Sequence, residues 1–174
     1  MTRSSRQGNP GQVFAVPLSD GSARIAQVVG IDWDGFEEPI CAFTLIRAEE
    51  WTDGTPLLMD DLMAVQTVTS DMLRTRRPER WRVVGSARPL SVPDYVFRAP
   101  QRRWIRAPSV RERIPASNPV VIGSGNMAEF LEACLGLCPW DEYAWPEFMD
   151  GILLPGRARP TVAYMGDRHR PPEG

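Results

Sequence analysis

The chain has 174 residues, 43% apolar and 24% charged, with a formal net charge of −2, a length and balance expected of one globular domain with a packed core. That balance excludes a disordered or fibrous protein, and no window approaches the roughly 18 consecutive apolar residues that a spanning helix needs. Residues 1–10 are polar, with Arg3 and Arg6 and no apolar run behind them, so neither a signal peptide nor a transit segment is expected.

Residues 12–18 (QVFAVPL) alternate weakly and residues 23–31 (ARIAQVVGI) follow the turn Ser19-Asp20-Gly21-Ser22, a pattern that predicts a β-hairpin. A third strand is predicted over 40–47 (ICAFTLIR), reached through the acidic loop 32–39 that Gly35 and Pro39 punctuate, so the three strands form a meander. Further strands are expected at 63–69, 80–86 and 95–98, all short and carrying β-branched or aromatic members. Between 98 and 119 the composition turns to Arg, Pro, Ser and Gln, which predicts an extended surface connection.

From Asn126 the period changes: Met127, Phe130, Leu131, Cys134, Leu135 and Cys138 recur at helical spacing on one face. Asn126 is the expected N-cap with Glu129 completing a capping box, and Gly136 and Pro139 mark the end. One or two short helices are expected over 139–154, which Pro146 interrupts, and an edge strand over 161–165. The expected fold is α+β: a β-rich antiparallel curled sheet or small barrel followed by C-terminal helices. It forms one domain over 1–155 (β-rich 11–98, connection 99–119, helical 126–154), with an Arg/Pro/Gly-rich tail over 156–174.

Several motifs weigh on function. Val120-Val121-Ile122 followed by Gly123-Ser124-Gly125-Asn126-Met127-Ala128 matches strand, G-x-G-x-x-A, helix, the dinucleotide fingerprint. The next stretch, Pro139 to Tyr143, lacks the parallel strand with a terminal acid that a ribose needs, so the expected meaning is a glycine-rich turn into a helix, with no cofactor. Cys134 and Cys138 stand four apart on one helical face, but a zinc site wants four ligands and the one histidine, His169, lies in the tail. With Cys41 they make an odd, small set, which suits thiols in a reducing cytoplasm. No nucleophile with a base in reach is legible, and the chain is expected not to be an enzyme.

Charge is blocked along the chain. Residues 32–71 carry one arginine against ten acids, a net −9, and residues 72–119 carry twelve arginines against three acids, a net +9. An acidic face formed by Asp32, Asp34, Glu37, Glu38, Glu49, Glu50 and Asp53 and rimmed by Trp33, Phe36 and Trp51 would suit a basic protein partner. Aromatic anchors supply binding energy there and charge supplies on-rate. The basic block with Trp81 and Trp104 would suit nucleic acid instead.

The opening strand Gly11-x-x-Phe14-x-Val16-Pro17-Leu18, the turn Asp20-Gly21, the second strand ending Ala26-Gln27-Val28-Val29 and the element Trp81-x-x-x-Gly85 resemble the immunity protein 26 family of bacterial polymorphic toxin systems, over roughly the first half of the chain. The resemblance implies a cytosolic neutraliser that binds a cognate toxin domain and blocks it stoichiometrically, without a catalytic residue. Ala26 stands where relatives often have glycine, and the segment 98–113 has no counterpart. The same hairpin also resembles SH3-like barrels of plasmid-maintenance ribonuclease toxins, which would place an arginine-based site in residues 74–82 and make nucleic acid the partner.

Overall fold

The structure is a computed structural model that describes residues 8–31, 38–69, 71, 80–92, 95–98, 103–106, 121–140, 148–154 and 156–159. β1 (Gln12–Pro17), β2 (Ala23–Ile31), β3 (Pro39–Arg47) and β4 (Leu62–Val68) form the predicted antiparallel run, and β5 (Arg82–Ser86) adds to the outer side of β1. At the hairpin turn Gly21 takes a φ of 83°, where a Cβ would be strained. Ser22 donates both its hydroxyl and its backbone N–H to Asp20, which holds that carboxyl below its ordinary value.

A short strand β8 (Val121–Ile122) pairs in parallel with β4, giving the order β5-β1-β2-β3-β4-β8. Register shifts at Val13/Phe14, Arg24/Ala26, Val28/Gly30 and Phe43/Thr44 bend four of these strands. Each such irregularity sharpens the local twist, so the sheet is curled but stays open, with β5 and β8 as its edges. Of the two expected forms, curled sheet or closed barrel, the chain adopts the first.

The predicted strand over 95–98 does not join this sheet. β6 (Tyr95–Arg98) pairs with β7 (Arg103–Arg106) as a separate two-stranded ribbon. The expected connection over 99–119 therefore contains a strand. Its four residues, RWIR, are too few to show a period, and the register sets Trp104 opposite Phe97 and Ile105 opposite Val96. The expected edge strand over 161–165 lies outside the described residues.

Both faces of β1 to β4 are covered, which is why these strands read as near-continuous apolar runs. On one face Phe14, Val16, Ala26, Val28, Cys41, Phe43, Ala64 and Val68 pack with Met127, Phe130, Leu131 and Cys134 of α1 (Ser124–Cys134) and with Met149 and Ile152 of α2 (Phe148–Ile152). Trp81 is buried in this layer, edge-on to Phe43 with ring centroids 5.6 Å apart. Burying one such side chain stabilises the fold by roughly 1.5–3 kcal/mol. On the other face Val13, Ile25, Ala42, Leu62 and Val65 meet Leu57, Leu90, Val92 and Leu154, which come from irregular segments.

α1 begins three residues earlier than its sequence suggests. Gly123 is the N-cap, its carbonyl accepting from the N–H groups of Asn126 and Met127, so Asn126 lies in the first turn. The expected cap failed because β8 runs straight into Gly123 and leaves no room for an exposed lead-in. The C-terminus is as expected: Gly136, with φ 73°, donates to Ala133 and Leu137 donates to Glu132, a Schellman closure that glycine favours. No helix among the described residues is long and apolar enough to cross a membrane.

Candidate partner-binding surface

Between β3 and β4 the chain makes a long excursion, residues 48–61, whose two ends meet because Thr44 pairs with Leu62. It opens with a 3-10 turn at Ala48–Glu50 and closes with another at Met59–Asp61. This arm reaches the far side of the sheet. Gly54 donates to the carbonyl of Ser86, the Asp53 carboxylate accepts the Ser86 N–H at 2.8 Å, and Leu57 is buried against Val13 and Ile25.

Local bonds stiffen it further. The Trp51 indole N–H donates to Thr55 at 3.0 Å, the Asp61 carboxylate accepts the Leu58 N–H at 2.9 Å, and Gly54 turns the chain with φ 84°. Arg157 donates to the carbonyls of Leu62 and Met59 and pins the closing turn from the C-terminal side. Held this way, the arm presents Glu49, Glu50, Asp60 and Leu58 outward, the last with 62% of its surface exposed. Glu49 pairs with Arg47 at 3.1 Å, both side chains more than half exposed, an arrangement worth little in water.

Of the predicted acidic face, the described residues Glu38 and Glu49 stand at opposite ends of β3. Glu38 precedes the first residue of β3 and Glu49 follows its last, so roughly 26 Å of extended strand separates the two groups. Neighbours in charge along the chain are thus placed at opposite ends of the sheet. Asp32, Trp33, Asp34, Phe36 and Glu37 lie outside the described residues. Trp51 and Asp53 have internal partners, and both lean on Gly85, where an added Cβ would stand 2.9 Å from the Trp51 ring. They tether the arm, while Glu49 and Glu50 face solvent. Leu58 escaped notice in the sequence because it follows Leu57 directly. Of that pair only one residue can enter the core, and chain order does not say which.

The residues that carry the family resemblance hold the sheet together. Gly11 takes φ 94° and lets the Ala87 carbonyl come within 2.9 Å of where a Cβ would be, and Phe14, Val16 and Leu18 are core. Trp81 anchors the start of β5 and Gly85 admits the arm. Gln27, fully buried, donates to the carbonyls of Ala87 and Arg88 and accepts from the Leu90 N–H, fastening residues 87–90 over the second face.

The strand, turn and helix of the glycine-rich motif exist as β8, Gly123 and α1. The Ser124 N–H donates to Thr69, and the Ser124 hydroxyl lies 3.4 Å from the Asp71 carboxylate. The chain's own anion therefore stands near the helix N-terminus, where a phosphate would be held. The three cysteines form no disulfide. Burial pushes the Cys134 thiol up to about 12, with Cys138 adding to the effect, and pushes Cys41 higher still. Among the described residues no three His, Cys, Asp or Glu side chains are grouped to hold a metal.

From the arginine block, Arg82 and Arg88 are exposed and make no ion pair among the described residues. No protein-family model, curated protein or solved structure matches the chain.

Proposed function

We propose that this chain is an immunity protein of the kind the resemblance implies, a cytoplasmic neutraliser that blocks a cognate toxin domain by binding it one to one. The observation that carries the reading is the arm over 48–61, which is tied down at Trp51, Asp53, Leu57 and Asp61 and still presents Glu49, Glu50, Asp60 and the exposed Leu58. A tethered loop loses little entropy on docking, an exposed aliphatic side chain at its closing turn supplies contact area, and carboxylates on the arm speed encounter with a basic partner. Inhibition by occlusion asks for no catalytic group.

The test is retention of a basic protein by the immobilised chain, followed by titration of that protein's activity with purified chain and by mobility-shift assays on RNA and duplex DNA. Loss of activity at equimolar chain, weakened by salt and by Glu49→Arg with Glu50→Arg, supports neutralisation through the arm. A steep salt-dependent shift of nucleic acid with no protein partner overturns it and makes the arginine block the working surface.

A further inference from the structure

The edge strand β5 carries a second surface, beside the point where the arm meets Ser86. Among the described residues it ends the sheet order, paired with β1 alone. At Ser86 its outer side is taken by the chain itself, both main-chain groups of that residue bonding to Gly54 and to Asp53, which leaves Arg82–Val84 as the open stretch. Val83 and Val84 there are 48% and 38% exposed, and with Leu58 they are the exposed large apolar side chains of the described residues. Arg82 before them and Arg88 beyond them are exposed and without ion-pair partners among the described residues.

Natural edges are usually blunted by charge, proline or bulges, because an uncovered apolar edge recruits other strands. β5 has a register shift opposite Val13/Phe14, yet it still exposes two adjacent valines between arginines. A second copy of β5 would bring Arg82 and Arg88 of both chains to one seam, so charge disfavours self-pairing and favours an acidic occupant. We propose that β5 takes up an extended acidic, aliphatic segment of a partner protein as an added strand, its carboxylates meeting Arg82 and Arg88 and its aliphatic side chains covering Val83 and Val84.

The probe is a short peptide alternating Val and Glu, titrated into the isotopically labelled full chain and read by amide shifts and hydrogen exchange over 82–86. Three controls accompany it: the Val/Lys peptide, the Val/Glu peptide N-methylated at alternate amides, and a short RNA. Expected are shifts and slowed exchange at β5 with the Val/Glu peptide only, and affinity reduced about fivefold or more in Arg82→Glu, as for a charge at the contact. Because that variant keeps β5 paired with β1, it separates binding from folding, and Arg88→Glu provides a second measurement outside the strand. Equal binding of the Val/Lys or N-methylated peptide, protection by RNA, concentration-dependent protection without peptide, or no change at β5 would each overturn the proposal.

Discussion

Asp53 and Ser86, thirty-three positions apart, are joined by a hydrogen bond of 2.8 Å from the Ser86 N–H to the Asp53 carboxylate, with Gly85 directly beneath. This contact decides where the arm lies. Gly85→Ala would press a methyl group into the Trp51 ring and the Asp53 carboxylate, at an expected cost of about 1–3 kcal/mol. Amide exchange over 51–56 should accelerate along with the loss of stability. Gly125→Ala, where an added Cβ meets nothing within 4 Å, is the control and should not loosen the arm.

Gln27 is a buried side chain that holds residues 87–90 to the sheet through three hydrogen bonds. Gln27→Leu should destabilise the chain by about 2–4 kcal/mol, since it leaves the Leu90 N–H and two carbonyls without their partner. Chemical denaturation measures the loss. A change below about 0.5 kcal/mol, the range of ordinary surface substitutions, would mean that water replaces the carboxamide freely.

Alkaline stability follows from the buried thiols. In the unfolded chain a thiol ionises around the ordinary 9.0, whereas folded Cys134 stays protonated until about 12. Its contribution is complete below pH 9.0 and is lost as pH rises from there to about 12, with Cys41 acting in the same sense from the same onset and on to higher pH. Unfolding measured across that window should fall less steeply with pH in Cys134→Ala, by up to about 1.4 kcal/mol per pH unit. Native alkylation should reach Cys138 first, because it is only half-buried.

Asp150 has the opposite sign. Arg159 binds its carboxylate, the Trp140 indole N–H donates to it at 3.1 Å, and the pair of interactions holds the carboxyl below its ordinary 3.8. The stabilisation is present above that value and disappears as pH falls through the lower folded one. Asp150→Asn should therefore flatten the acid limb of the stability curve below about pH 4. The Trp140 indole N–H resonance should move over the same range in the native sequence and not in the variant.

Much of the sheet was legible in advance because strand signals are local. Val and Ile alternate or run together, Asp20-Gly21 turns the chain, and β1 to β4 follow in register, as the residues themselves dictate. The end of α1 at Gly136 was equally visible, since a left-handed residue there favours glycine. β7 was not, because four residues in an arginine-rich stretch show no period until β6 is beside them.

The charge pattern marks the boundary most clearly. Sequence alone determined that ten acids fall between residues 32 and 71, and it determined the strands of the meander. Only the tertiary structure decided that β3 sets Glu38 and Glu49 at opposite ends, that Asp53 and Trp51 pack against Gly85 and Ser86, and that Leu57 enters the core while Leu58 remains outside. The reason is physical: secondary structure answers to neighbours a few residues away, whereas a surface is assembled by contacts between segments that the chain brings together only when it folds.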